Sequence, residues 1–431
     1  MNFHVGVSKL EITPPAYLLQ AGRIFLWGYG FRTQPADSIR DPLWARALAI
    51  ADEFGNRIVL VSLDICAVDQ AFSAAVRENL MDSHALPPEC LAINLTHTHS
   101  APVAVSIPTW NPGADAPDPK YLDFLRQRVV DAAREALDSI QPASLYFIRG
   151  ESGIGLNRHV NAAGIPASPD TCDRTLDVLQ VVDAVGKNLA VAVFHGCHAV
   201  FLKGQAVSAD FPGIAREVVE SAAGGTALFF QGYAGTVNPV GEDMLVTGNQ
   251  LAQDAIQLLA GPRKPIAGSI QANLLDFQLP FQPLPTGMLE QAQNQETDPN
   301  LQRWANSIAS LGSDAPETLP VQLQAFRIGA PPNAWLIAAS SHEVVTEFAS
   351  PVRSILPGIP TSLLGYTNFC LSYIPTRSIL NEPGHQPFPF SLNYEGASSF
   401  SWYGQPAPLS SQVDELFLQA NVSLIKKLAE V

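Results

Sequence analysis

Apolar residues come in short runs along this chain, and Gly, Pro, Asn or Asp closes most of them. Short runs without alternation fit strands buried on both faces. Three pairs of runs predict hairpins: 45–50 with 58–63 across Asp52-Glu53-Phe54-Gly55-Asn56, 178–183 with 189–194 across Gly186-Lys187-Asn188, and 321–328 with 334–339 across Pro331-Pro332-Asn333. Two more strands are expected at 91–95 and 227–230. A helix is predicted behind Asp118-Pro119, a cap with proline at the first turn. It runs to about residue 140, with Leu122, Leu125, Val129, Ala133, Ala136 and Ile140 on one face. Further helices are predicted over 212–223, ending at Gly224-Gly225, over 247–260, ending at Gly261-Pro262, and over 303–311 and 412–428.

These elements predict an α/β fold with a mixed β-sheet core, built partly from hairpins and flanked by helices. No internal repeat divides it. The chain reads as a single domain over 1–431, with the Pro- and Gln-rich stretch 260–320 as an insertion. Five predicted strands stop at residues able to do chemistry: Asp64, His97-Thr98-His99-Ser100, His195-Gly196-Cys197-His198, Gln231-Gly232 and Ser341-His342-Glu343. In sheets flanked by helices, such strand ends gather a ligand site along one edge. Loops 103–117 and 375–393 would shape the cavity beside it.

Composition narrows the function classes. The net charge of −15, with no basic run, argues against nucleic acid as a partner. The five cysteines are scattered, odd in number and free of any CxxC spacing, which reads as free thiols in a reducing compartment. The start, MNFHVGVSKLEITPP, has no apolar core of a secretion signal, and no apolar run approaches membrane-spanning length. A cytoplasmic protein without stable membrane insertion is expected.

The chain has nine histidines, and four of them sit in two tight pairs. If strand alternation persists past 95, His97 and His99 leave the strand on one side. They would then offer nitrogen ligands to a metal, or a ligand and a proton carrier. Metal or catalytic duty outweighs two merely buried histidines there, although barrel-type amidohydrolases also open their metal site with such a pair. Of His195 and His198, one is expected to face the site and the other to be a core residue. Glu343 needs a partner or a metal in its low-charge setting, or it opens a helix over 344–356; the two roles are compatible. Arg158 either clamps an anion or is solvated. Tyr373, Tyr394 and Tyr403 admit surface, core and catalytic readings. The turn GYAGTVNP, 232–239, offers backbone N–H groups to an oxyanion.

Together, NLTHTHSAP, CHAVFLKGQAVSADFPG (197–213), GYAGTVNP and YEGASSFSWYG (394–404) resemble the catalytic domain of neutral (alkaline, non-lysosomal) ceramidases and their shorter bacterial relatives. GVSKLEITPP and DPLWARALAI fit the same pattern, so the resemblance runs from about Gly6 to Gly404. It implies a zinc-dependent hydrolase of N-acyl bonds. His97, His198, Glu343 and Tyr373 resemble the zinc ligands, whereas His195 does not align. His99, Arg158 and Tyr394 match residues lining the reaction centre. Two His and one Glu also form a common catalytic zinc set with a position for water.

Three departures shape the expectation. The family's GDVS loop, with its proposed Ser nucleophile, reads Gly235-Thr236-Val237-Asn238, which leaves a metal-activated water. The Gly usual before the glutamate is His342. Neither the family's C-terminal immunoglobulin-like domain nor a secretion signal is expected. The expected substrate is therefore a small-molecule or lipid-like amide, with a soluble N-acylated amine or amino acid preferred over long-chain ceramide. The alternatives are a zinc esterase or other C–N hydrolase on a small polar substrate, and a non-catalytic binding protein that kept the fold.

Overall fold

The computed structural model describes residues 3–107, 109–110, 112–161, 163–294, 298–382 and 394–428. Residues 108 and 111 of the first expected cavity loop, and 383–393 of the second, lie outside the described residues.

All three hairpins form. Trp44–Asp52 pairs antiparallel with Arg57–Leu63, Thr175–Asp183 with Asn188–His195, and Thr318–Ile328 with Trp335–Ser340. The first two belong to one mixed sheet. Its order is Thr226–Gln231, Asn188–His195, Thr175–Asp183, Gln141–Glu151, Phe3–Glu11, Trp44–Asp52, Arg57–Leu63, Leu91–Leu95. Only the outermost pair on each side is parallel. The third hairpin lies in a second sheet, between Ile270–Pro280 and Thr361–Leu364. The stretch 260–320 thus supplies Lys264–Ile266 to the first sheet and Ile270–Pro280 to the second, besides the helices Met288–Gln293 and Pro299–Leu311.

Side-chain alternation shows why the strands lack polar positions. Ala45, Ala47 and Ala49, with Val59, Val61 and Leu63, face a layer of helices: Gln70–His84, Pro119–Asp138, Asp210–Ala223 and Met244–Leu259. Leu48, Ile50, Ile58 and Leu60 face the other way, onto Phe326, Trp335 and Ile337 of the second sheet. The helix Val413–Lys426 covers the outer side of that sheet. The result is four layers, helix–sheet–sheet–helix, in which central strands such as Trp44–Asp52, Arg57–Leu63 and Trp335–Ser340 are buried on both faces.

Two helical expectations need correction. Gln70–His84 was not foreseen, because its buried apolar positions, Phe72, Val76 and Leu80, form only a thin stripe; the Asp69 carboxylate that caps it was the available signal. The helix over 344–356 is mostly absent. Glu343–Val344 pairs in parallel with Tyr373–Ile374, a 3₁₀ turn follows at Thr346–Phe348, and only Ala349–Arg353 is helical. Val344 and Val345 are buried under the C-terminal helix, and that packing overrides local propensity.

The two edge strands of the first sheet approach each other without forming a ladder. Asn94 Oδ1 accepts from the Gln231 N–H at 2.7 Å, Asn94 Nδ2 donates to the Gln231 carbonyl at 3.1 Å, and Ser62 Oγ donates to the Phe229 carbonyl at 2.6 Å. This stitching brings the end of Leu91–Leu95 beside the ends of Asn188–His195 and Thr226–Gln231.

Candidate metal centre

The Gln231 side chain, fully buried, staples the two histidine turns together. Its Oε1 accepts from the Cys197 N–H at 2.9 Å, and its Nε2 donates to the carbonyls of Cys197 at 2.7 Å and Thr96 at 3.1 Å. His97 and His198 each follow one of those residues. His97 is not reached by strand alternation, as expected, but by a turn: the strand ends at Leu95 and His97 adopts a left-handed φ of 59°. The His97 and His99 rings still lie close, with centroids 4.9 Å apart, but cross at 76°.

Each imidazole is fixed at one nitrogen. His97 Nδ1 donates to the Cys66 carbonyl at 2.7 Å, and His198 Nδ1 to the Ala234 carbonyl at 2.7 Å. A carbonyl only accepts, so these contacts put a proton on Nδ1 and leave Nε2 as the nitrogen turned towards the site. Both Nε2 atoms face Glu343 Oε2, at 3.4 Å and 2.8 Å. Burial pushes the Glu343 carboxyl up, but the facing His97 and His198 rings hold it well below the ordinary carboxylate range. Burial first, and Arg158 next, pull His198 down, so it is a neutral imidazole. Two imidazole nitrogens and a carboxylate, their donor atoms within 4.8 Å of one another, converge in a buried site. With a cation between them they form a fitting three-protein-ligand set, their Nδ1 contacts orienting the rings.

The other candidates surround this set. Tyr373 pairs with Glu343 across the short parallel bridge, and its hydroxyl accepts from Arg158 Nη2 at 2.9 Å. The hydroxyls bonded to the Glu343 carboxylate are those of Tyr366, at 3.3 Å, and Tyr403. Neither had been singled out for that role: Tyr366 carries no motif, and Tyr403 stood only among several C-terminal tyrosines. The Tyr394 ring packs edge-on against Tyr373. Neither ring nitrogen of His99 has a hydrogen-bond partner among the described residues. Burial first, then His97 and His198, keep it well below the ordinary imidazole value, hence neutral.

His195 sits apart from this cluster, its Nδ1 donating to the Thr175 carbonyl at 2.9 Å. Three N–H groups of the 232–239 turn are taken within the fold and not offered to an anion. Gly232 N donates to His195, Gly235 N to Val344 and Val237 N to Ala234. The turn supplies carbonyls instead, and they orient His198. The departures are accommodated too. Thr236 Oγ1 donates to Glu347 at 3.0 Å and accepts from the Thr346 N–H at 3.1 Å. His342 adopts a φ of 71°, which explains a glycine preference there; its Nε2 donates to the Pro320 carbonyl at 2.8 Å and its Nδ1 accepts from the Leu371 N–H at 3.0 Å.

Two cavities meet at Gly28, Tyr29 and Tyr394. One, of 810 Å³, contains His99, Arg158, Asn238 and Tyr373 in its wall. The other, of 430 Å³, runs under Trp110, Leu301 and Trp402. Gly28, at φ 102°, is pressed against His99: a Cβ there would lie 2.4 Å from the imidazole Cγ. Gly28→Ala is therefore expected to displace His99 and lower the rate roughly tenfold to a hundredfold. Metal content should not change. Turnover at the wild-type rate would show that His99 does not depend on this contact.

Residues 3–277, more than half of the chain, match the family described as neutral/alkaline non-lysosomal ceramidase, N-terminal. Neutral ceramidase A of Dictyostelium discoideum is 25% identical over 261 residues, covering 55% of this chain and 36% of that protein. Neutral ceramidase 2 of Arabidopsis thaliana is 28% identical over 158 residues, covering 36% of this chain and 20% of that protein. The matches thus span about a third or less of these relatives. The crystal structure of neutral ceramidase from Pseudomonas aeruginosa superposes over 99% of this chain and 75% of its own, with a TM-score of 0.74 at 20% identity, and so shares the fold. On the extent of the family match, this chain belongs to the neutral/alkaline non-lysosomal ceramidases.

Proposed function

We propose that the protein hydrolyses an N-acyl amide bond at a zinc centre held by His97, His198, Glu343 and Tyr373. The supporting observation is the convergence of the His97 and His198 Nε2 atoms on a buried carboxylate, beside a cavity walled by His99 and Arg158. Bound there, zinc would supply a Lewis acid for the acyl oxygen and bring the pKa of water from about 15.7 towards about 7. His99, neutral and unpartnered, takes the proton of the attacking water. The water oxygen bonds to the acyl carbon, the C–N bond breaks, and His99 passes the proton to the leaving nitrogen. An acid and an amine result. Arg158 and Tyr394 face the developing oxyanion. Burial, then Glu343, push the Tyr394 phenol up, so it remains a hydrogen-bond donor. Asn238 lies in the cavity wall, with its Oδ1 on Arg158 Nη1, where the resemblance places a serine; no side-chain nucleophile stands there.

The cavity under Trp110, Leu301 and Trp402 suits an acyl chain, and the one at Asn238 an amine. The relatives' names point to ceramide-type lipids. The net charge of −15 opposes approach to anionic lipid surfaces, and among the described residues no helix is long and apolar enough to cross a membrane. Our reading favours a soluble N-acylated amine or amino acid over long-chain ceramide. The unpaired cysteines support a reducing, cytoplasmic setting. The test compares kcat/KM of zinc-loaded protein on N-acyl amino acids and on long-chain ceramide in neutral mixed micelles. Faster ceramide turnover would overturn the substrate preference. Hydrolysis of neither would overturn the proposed reaction.

A further inference from the structure

Arg158 is restrained beyond what contact with a substrate requires. Its Nε donates to Glu395 Oε1 at 3.1 Å, Nη1 to Asn238 Oδ1 at 3.2 Å, and Nη2 to the Gly235 carbonyl at 3.0 Å and the Tyr373 hydroxyl at 2.9 Å. A guanidinium has five N–H groups, so a single Nη1 hydrogen is left for the cavity. Glu395 is buried, and its second oxygen accepts from His159 Nδ1 at 3.3 Å. His159 Nε2 reaches Glu382 Oε1 at 3.0 Å. Both ring nitrogens therefore face carboxylates. A neutral imidazole has one N–H and would set its bare nitrogen against an anion, so the geometry requires the imidazolium. Neither His159 nor Glu395 walls either cavity.

We propose that Glu395 and His159 are positioning residues, which hold the Arg158 guanidinium against the Tyr373 hydroxyl and fix Tyr394 in the cavity wall. The role of Arg158 itself rests on the proposed function. Glu395 neutralises the inner edge of Arg158, so the guanidinium presents one fixed N–H rather than a mobile charge. His159 adds the second half: it ties the chain at Glu382 to the chain at Glu395, and Tyr394 is held from the same point. The hydrogen bond to Glu395, opposed by burial and joined by Glu382, pushes His159 up to about 9. Among the described residues, the charged groups facing it are Glu395 and Glu382, with Arg158 beyond Glu395. A raised value fixes the sign. The stabilisation is complete below the ordinary imidazole value of 6.5 and is lost as the pH rises through about 9.

The test uses zinc-loaded full-length protein, N-octanoyl 4-nitroanilide as the probe amide, and NMR of histidine Cε1 and arginine Nε–H signals. Glu395→Gln keeps the shape and removes the charge. It should lower kcat roughly tenfold to a hundredfold, with little change in KM or zinc content. The His159 titration should fall towards the ordinary imidazole value, and the Arg158 Nε–H signal should lose its protection. Wild-type kcat should decline above about pH 9; in His159→Gln kcat should already be low and that decline absent. Wild-type kcat and pH profile in both variants would overturn the proposal, as would an unchanged Arg158 signal. If Glu395→Gln loses zinc or unfolds, His159→Gln decides by the same readings. If the wild type hydrolyses no amide, the proposed function fails, and the clamp is judged on the two NMR signals alone.

Discussion

His97→Ala and His198→Ala are each expected to bring bound zinc from one equivalent per chain to background, and hydrolysis with it. The effect should be large because both imidazoles belong to the buried group that converges on Glu343. Each imidazole supplies one of the two Nε2 atoms aimed at Glu343, and each ring is already oriented by a carbonyl at Nδ1. Removing one leaves a buried carboxylate facing a single nitrogen, an incomplete set for a tetrahedral cation. His195→Ala is the matched control. It deletes a buried histidine bonded to the Thr175 carbonyl, outside the donor cluster, and should retain full zinc. Elemental analysis after dialysis reads all three variants. Zinc retained by both His97→Ala and His198→Ala would move the centre elsewhere. Its loss in His195→Ala alone would exchange the roles of the HxxH pair.

Much of this architecture was legible before any coordinates. The hairpins could be placed because turn chemistry is local: a Gly or Asn between two apolar runs points to a reversal, wherever the strands go afterwards. The layering could not. Leu48 and Ala49 are both apolar and both buried, so nothing in their order tells that one faces a second sheet and the other a helix. An uncharged run on both faces is compatible with one sheet between helix layers, and the second sheet came from pairings with long sequence separation.

The site was half-legible for a related reason. His97, His198 and Glu343 announce themselves by residue type at strand ends. What holds them is backbone carbonyls and buried amides with no signature: Cys66 and Ala234 through their C=O groups, and Gln231 through a side chain that any strand end could carry. The left-handed residues His97, His342 and Tyr366 are likewise silent in sequence, since no glycine marks the positive φ. They lie on the segments around Glu343, where the close approach of three turns leaves little other route for the chain. Conformations of this kind persist where surrounding structure over-determines them, as at functional sites. Glu395 and His159 are the sharpest omission. Both sit beside candidate site residues, and the hints were the charge adjacent to Arg158 and Tyr394 and the place of Glu395 inside YEGASSFSWYG.

His99→Ala should separate proton transfer from metal binding. The variant should keep zinc and lose roughly 10²–10⁴-fold in rate, the usual contribution of a positioned acid–base group. The geometry supports a large effect. The His99 ring lies within 5.7 Å, centroid to centroid, of the His198 ring, and neither of its nitrogens has a partner among the described residues. It is packed against Gly28 on one side and meets the Tyr29 ring edge-on at 5.0 Å, so it is held in place without spending a nitrogen. Burial keeps it neutral, and a neutral imidazole can both take a proton from water and return it to an amine. The same mechanism makes a labelling prediction. With Asn238 where the resemblance places a serine, the acid product of a single turnover in H₂¹⁸O should carry one ¹⁸O, and no acyl-enzyme should build up. Capture of a covalent acyl adduct, or a His99→Ala rate within about threefold of wild type, far below the loss expected of an acid–base group, would remove His99 from the proton path and the attacking water with it.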